Sequence, residues 1–530
     1  MKVDVAVACL SIVGSSLASR DAFYGKHLKN VPKRFAPAEP RAEVRDESTF
    51  RFLTNNTQKY KVDSLPDVPF DVGELYSGLV PINNTNTSNA LFFIYQPTTG
   101  PPVDEVTVYL NGGPGWSSFE SFFQETGRIT WQAGTFEPVI NPYSWVNLTN
   151  MLYVDQPIGT GFSIGTPTAT NEVESAQQFI QFFKNFEQIF GIKNYKIYMT
   201  GESYAGRYVP YISAAMLDAN DTEYYNLSGA LVYDPCIGNW DYVQQEIPLV
   251  PFVQSNLNVM GFNSTFMAHT ESLFESCGYK DYIEKYLVYP SAGQQPAVFY
   301  NSSEGRNATC DVWDMFDQAA FAVNPCFDVY DVSNACPLLW DVLGHQTQFN
   351  YIPAGAQVYP NRTDVKTAMH APDINWYLDQ NMVPVFVADN GEGGPEMQGD
   401  TSPDPIQHVL PQVIEATNRV LIANGDLDMV IITNGTLMSI QNMTWNGKMG
   451  FESKPSAELI VDIPDLQYQQ WFNGTYLQGW DGPQGVVGTY HYERGLMWAE
   501  TFLSAHTQPA SQPRASYKHL QWLLGRIDSL

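Results

Sequence analysis

Basic residues are scarce in this chain: 28 lysines and arginines stand against 56 aspartates and glutamates, a formal charge of −28 over 530 residues. A surface of that sign repels phosphate backbones and disfavours anionic lipid surfaces, so neither nucleic acid nor membrane is an expected partner. It suits a protein that stays soluble in an acidic medium, where part of the charge is neutralised. Cysteine is sparse as well, with six in all, and no two have CxxC spacing, which argues against a zinc site. No metal and no cofactor is expected. After the first residues no run of 18 apolar residues occurs, so no membrane-spanning helix is expected. No internal repeat or long low-complexity tract is evident. What is present, 44% hydrophobic and 14% aromatic residues, is globular composition. The length allows about three domains or one large elaborated domain.

The N-terminus has the features of a secretory leader. Lys2 gives a positive start, residues 5–18 are mostly small and apolar, and Ser16-Leu17-Ala18 offers small residues for cleavage. Residues 1–18 are read as a signal peptide. Residues 19–50 carry Lys26, Lys29, Lys33, Arg34, Arg41 and Arg45 among prolines. They are read as an N-terminal arm or a propeptide whose charge complements the acidic body. Thirteen Asn-x-Ser/Thr sequons between Asn55 and Asn473 point to a glycoprotein. Cys9 leaves with the leader. Cys277, Cys310, Cys326 and Cys336 cluster closely enough to suggest two disulfides formed in an oxidising compartment. Cys236 or another of the five remaining is then free or pairs outside the chain. The leader serves secretion and delivery to a vacuole-like compartment equally; secretion is the location expected.

From about residue 70 strand and helix signals alternate. Residues 106–110 are β-branched and apolar and run into Gly112-Gly113-Pro114-Gly115, a strand ending in a tight loop. Residues 151–154, 196–200, 231–233 and 420–423 read as further buried strands. Residues 172–190 place Ala176, Phe179, Ile180, Phe183, Phe186 and Phe190 at helical spacing, and 205–216 read as a second helix. Such alternation predicts a mainly parallel sheet with helices on both faces. Between 240 and 362 the rhythm fails, in a stretch rich in aromatics, asparagine and proline that holds the four clustered cysteines. The expected organisation is a core in two parts, 51–239 and 363–530, with a cap insertion at 240–362.

Gly201-Glu202-Ser203-Tyr204-Ala205-Gly206 lies between a strand and a helix. A serine at such a turn is held strained, with its oxygen projecting from the top of the sheet, and the flanking residues are small because strand and helix pack closely there. A serine nucleophile needs a base, and the base needs an orienting acid. In α/β-hydrolase architecture these follow in the order Ser, Asp/Glu, His. The strand at 420–423 runs into Asn424-Gly425-Asp426-Leu427-Asp428. Asp426 and Asp428 both qualify; Asp428, further into the loop, is preferred, and Asp426 is a candidate turn cap. The histidines that follow are His491, His506 and His519. His491 sits between two tyrosines in what reads as a glycine-rich loop, and His519 lies in an amphipathic stretch that suits packing. His506 has the strand–loop–helix setting that fits the base. Asn111-Gly112-Gly113-Pro114-Gly115 presents backbone N–H groups suited to an oxyanion.

Together these pieces resemble the serine carboxypeptidase family of vacuolar and secreted type, in particular secreted fungal members. The resemblance rests on NGGPGWSS from Asn111, DQPIGTGFS from Asp155, GESYAGRYVP from Gly201, VLIANGDLD from Val420 and SAHTQP from Ser504, in the family's order across nearly the whole mature chain. It implies the α/β-hydrolase fold with a disulfide-containing cap. It also implies Ser203 as nucleophile, His506 as base, Asp428 as orienting acid, and an oxyanion hole from the N–H groups of Gly113 and Tyr204. Asn111, Glu125 and Glu202 would bind the substrate's terminal carboxylate. Two buried carboxyls close together do not both stay ionised. Protonated, they donate to a carboxylate; ionised, they repel it. The implied activity is removal of C-terminal residues from peptides at acidic pH, through an acyl-enzyme. The sequence departs from the family at Trp116, where a cysteine normally ties this loop to the insertion by a disulfide, and at Ala505 and Thr507 around the histidine. Glu120 is a further charge beside the carboxylate loop. A rival reading is an esterase or acyltransferase on the same scaffold, which has no use for a pair of carboxyls that grips a chain end. A non-catalytic binding role is disfavoured by the intact Ser203, Asp428 and His506. The expected partners are peptide or protein C-termini.

Overall fold

The computed structural model describes residues 49–83, 85–296, 310–337, 339–344, 353–379, 384–388, 399–461 and 485–530. The leader, most of the arm and the sequons at Asn301, Asn307 and Asn473 lie outside the described residues. Ten strands form one sheet. In chain order they are β1 Tyr76–Asn83, β2 Asn86–Gln96, β3 Glu105–Leu110, β4 Asn150–Asp155, β5 Lys196–Glu202, β6 Asn226–Tyr233, β7 Val420–Gly425, β8 Ala457–Ile460, β9 Val486–Glu493 and β10 Leu496–Thr501. Their order across the sheet is β1-β2-β4-β3-β5-β6-β7-β10-β9-β8. The central run from β4 to β10 is parallel, and hairpins add antiparallel edges on both sides. The expected strands are all present, extended by a few residues at most ends.

Alternation along the central strands sends side chains into two cores. Val106, Val108, Ile197, Met199, Val232 and Ile422 face one core; Tyr109, Tyr198, Leu231, Tyr233 and Leu421 face the other. The first core is closed by helix α1 (Glu172–Phe190), α2 (Ala205–Ala219) and α3 (Val409–Thr417), the second by α4 (Pro513–Leu523). α1 starts where the Asn171 side chain accepts the Glu174 N–H at 3.0 Å and stops at Gly191, in the left-handed region. Its phenylalanines pack edge-on against Phe93 and Tyr95 of β2.

A third core joins residues 243–332 to Met429, Ile432 and Met438. It is built from short helices rather than sheet, in line with the broken rhythm of this stretch. Cys277–Cys310 and Cys326–Cys336 are bonded, and Cys236 is a buried free thiol. One expectation is corrected: His491 lies in strand β9, not in a loop. Its neighbours Tyr490 and Tyr492 favour extended backbone, and the glycine that marks the turn, Gly495, comes only after Arg494. His519 is fully buried against Tyr233, which agrees with a packing role. Among the described residues, no helix is long and apolar enough to cross a membrane.

Several buried groups tie stability to pH. Burial pushes Glu187 up to about 9 and Glu500 up to about 7, while it lowers His519 to about 3. The carboxyls are protonated in the fold and ionised in the unfolded chain, so their contribution is present at low pH and is lost as pH rises through the folded values. His519 acts in the opposite sense, but only below its ordinary value of 6.5. Between pH 6.5 and 9 the carboxyls act alone, and the melting temperature is expected to fall steadily in a calorimetric series. A rise over that range would refute the assignment of these buried acids.

Candidate active site

Ser203 stands at the junction of β5 and α2 with φ +62°, a strained backbone for a residue with a side chain. The turn is that tight because its neighbours are small. A β-carbon on Gly201 would lie 2.3 Å from the Leu110 carbonyl oxygen and 2.6 Å from Cβ of Ala205; one on Gly206 would lie 2.5 Å from the Cys236 nitrogen. Gly112 in turn backs onto Ser203, where a β-carbon would come within 2.6 Å of both Ser203 Cβ and the Tyr204 nitrogen. The Gly113 loop is thereby placed beside the serine. Among the described residues, neither the Gly113 nor the Tyr204 N–H donates to another protein group.

Asp428 is fully buried beyond the end of β7 and accepts from Val430 N at 2.7 Å, Ile431 N at 3.2 Å and His506 Nδ1 at 2.7 Å. Asp426 instead accepts the Ser504 N–H at 3.2 Å and holds the loop that leads to His506. Ser203 Oγ and His506 are not hydrogen-bonded to each other in this structure; such bonds often tighten only with substrate bound.

Glu125 and Glu202 meet at Tyr109. Tyr109 Oη lies 3.2 Å from Oε2 of each. A phenol has one proton, so it donates to one carboxyl and accepts from the other, which requires a protonated acid. Oε1 of Glu125 is buried and finds no donor among the described residues, and the two carboxyls share a hydrogen bond. Burial and the Glu120 charge push Glu125 up to about 7, and burial with the Glu125 charge holds Glu202 well above the usual carboxylate range. Asn111 fixes its amide by accepting the Gly112 N–H at 2.6 Å and donating to Glu120 Oε2 at 3.2 Å, leaving one N–H for a ligand.

Three residues with no assigned role in the sequence belong to this arrangement. Tyr109 reads as core because it sits within a buried strand; only the alternation of faces sets it apart from its apolar neighbours. Asp155 accepts Ser117 Oγ at 2.7 Å, Ser118 N at 2.9 Å and Phe162 N at 2.9 Å, binding the glycine loop to the loop after β4. Tyr330, inside the Cys326–Cys336 loop, packs its ring 4.9 Å from the His506 ring, and its main-chain carbonyl accepts the His506 main-chain N–H at 3.0 Å. No local signal marks it. Trp116 donates to Glu120 at 2.6 Å and meets Tyr330 edge-on, so an aromatic contact joins the glycine loop to the Cys326–Cys336 loop.

A strained serine turn on a parallel sheet with helices on both faces places the chain in the α/β-hydrolase class. Within that class it belongs to the serine carboxypeptidase family, whose sequence model matches residues 66–526. It is 59% identical to serine-type carboxypeptidase F of Aspergillus niger over 531 aligned residues, covering 98% of both chains. It is 43% identical to a probable serine carboxypeptidase of Arthroderma benhamiae, over 95% of this chain and 92% of the relative. Among solved structures it resembles the prohormone-processing carboxypeptidase Kex1 of Saccharomyces cerevisiae, with a TM-score of 0.66 at 20% identity, over 89% of this chain and 96% of the other. That likeness supports the fold. The protein is a serine-type carboxypeptidase, a hydrolase that acts on peptide C-termini.

Proposed function

We propose that Ser203, His506 and Asp428 form the catalytic triad, that the N–H groups of Gly113 and Tyr204 form the oxyanion hole, and that Asn111, Glu125 and Glu202 grip the terminal carboxylate of the substrate. The observation that carries the exopeptidase reading is the buried Glu125–Glu202 pair bridged by Tyr109. Glu202 precedes the nucleophile directly, so a carboxylate held there sets the last peptide bond near Ser203 Oγ. With Nδ1–H donated to Asp428, the His506 Nε2 takes the serine proton as Oγ attacks the carbonyl carbon. The oxygen's negative charge falls to the two open N–H groups. The C–N bond then breaks as His506 returns the proton to the leaving amine. Water, deprotonated by the same imidazole, releases the acyl group from Ser203.

The proton shared by the acids makes binding strongest in an acidic medium. The leader-like N-terminus and the sequons support a secreted glycoprotein, with a vacuole-like compartment the other destination. The Cys326–Cys336 loop belongs to the catalytic apparatus on this reading. It accepts His506 N through Tyr330 and Met429 N through Val329, and donates Val332 N to Leu427. Replacing Cys326 and Cys336 by serine is expected to cost about tenfold or more in kcat, since small misplacements of catalytic groups are expensive. Replacing Cys277 and Cys310 is expected to lower thermal stability with kcat nearly unchanged. Equal kcat for both pairs of variants would remove the loop from the mechanism.

A further inference from the structure

We propose that Asp234 is a positioning residue whose carboxyl ties the loops carrying Asp428 and His506 to the strand that backs Ser203. It rests on the triad reading above. Asp234 follows the last residue of β6, is fully buried and has φ +40°, a left-handed backbone that few residues with side chains adopt. Its main chain is already tied to the nucleophile. Ser203 N donates to the Tyr233 carbonyl at 2.8 Å, and Cys236 N donates to the Ser203 carbonyl at 3.0 Å. On the other side, Asp234 N donates to the Ala423 carbonyl of β7 at 2.7 Å.

The side chain then reaches both remaining members. Oδ1 accepts Gly425 N at 2.8 Å and Asn424 Nδ2 at 3.3 Å; Oδ2 accepts Gln508 Nε2 at 2.8 Å. Asn424 also donates to the Ile431 carbonyl at 3.0 Å, and Ile431 N donates to Asp428. Gln508 N donates to the His506 carbonyl at 3.1 Å. Every donor to the Asp234 carboxyl therefore lies within four positions of Asp428 or His506. A second buried acid beside Asp428 is costly, and burial and Asp428 hold Asp234 well above the usual carboxylate range. The fold keeps it where three strand ends carrying three triad residues must be held in register. Gln508 Oε1 is buried with no partner among the described residues. Its amide serves the Asp234 link, and turning it over would let an asparagine at 234 donate to it.

The test compares Asp234→Ala, Asp234→Asn, Gln508→Leu and the double variant D234A/Q508L. Turnover of an N-blocked dipeptide is measured at pH 5 and normalised to active sites titrated to completion with a fluorophosphonate; melting temperatures are recorded alongside. Asp234→Ala is expected to lose about 100-fold in kcat and Gln508→Leu at least about tenfold, with KM within about twofold in each. Asp234→Asn is expected to keep most of the wild-type kcat. The double variant should be no worse than Asp234→Ala alone, because both remove one link. Wild-type kcat per titrated site in D234A and Q508L, whatever their melting temperatures, overturns the proposal. So do an Asp234→Asn variant as impaired as Asp234→Ala and additive losses in the double variant. If D234A does not fold, Q508L decides in the same way: a tenfold loss sustains the tie, and an unchanged kcat removes it. Labelling of Ser203→Ala by the fluorophosphonate would instead show that the triad reading is at fault.

Discussion

Ser203→Ala is expected to lower kcat on the order of 10⁵-fold or more, with the enzyme still folded and still binding peptide. The size follows from the mechanism. Without the oxygen no acyl-enzyme forms, and what remains is binding plus an oxyanion hole that can assist only direct attack by water. The hydroxyl contributes little to the fold, since the strained turn is fixed by Gly201, Ala205 and Gly206 rather than by the serine side chain. Equilibrium binding of a blocked dipeptide to the variant should match the wild-type KM within a few fold. Asp428→Asn should lose about 10⁴-fold, because an amide in place of the carboxylate no longer fixes the imidazole tautomer. Substantial activity in Ser203→Ala would mean that another group attacks the peptide bond.

The second large effect concerns binding. In the wild type, KM for a free-acid dipeptide is expected to rise about tenfold for each pH unit above the point where the shared proton leaves. Glu125 is pushed up to about 7 by burial and Glu120, so KM should be flat from pH 5 to 6.5 and climb steeply by pH 8. The sign is fixed: below that value the pair donates to the substrate's carboxylate, and above it an ionised Glu125 repels that anion. The double variant Glu125→Gln/Glu202→Gln keeps neutral donors at every pH, so its KM should stay flat to pH 8. A wild-type slope that survives in the double variant would place the titrating group elsewhere.

What could be read from the sequence divides along physical lines. The helix at 172–190 is legible to the residue because its phenylalanines keep helical spacing and a cap stands at each end. The parallel strands are legible as apolar runs, but their ends are not, because Glu202 and Gly425 look like loop residues and become strand by pairing with neighbours. The β1–β2 hairpin was hidden because Asn83 and Asn86, at its facing strand ends, read as sequons. The Ser203 turn announces itself by the small residues that close packing demands, and the resemblance to a family supplied Glu125, which no local pattern marks. Tyr109, Tyr330 and Asp234 stayed invisible for another reason. Each acts through contacts with segments distant in the chain, Tyr330 reaching His506 across more than 170 residues, and distant pairings leave no periodic trace.

Recognition of a free C-terminal carboxylate by protonated Glu125 and Glu202 sets this enzyme apart from a general hydrolase on the same scaffold. The most direct measurement compares kcat/KM for an N-blocked dipeptide and for its C-terminal amide from pH 5 to pH 8. A strong preference for the free acid is expected at pH 5, collapsing by pH 8 through KM, with the amide weak and far less sensitive to pH. Equal cleavage of acid and amide at pH 5, or a preference for the acid that persists unchanged at pH 8, would contradict it.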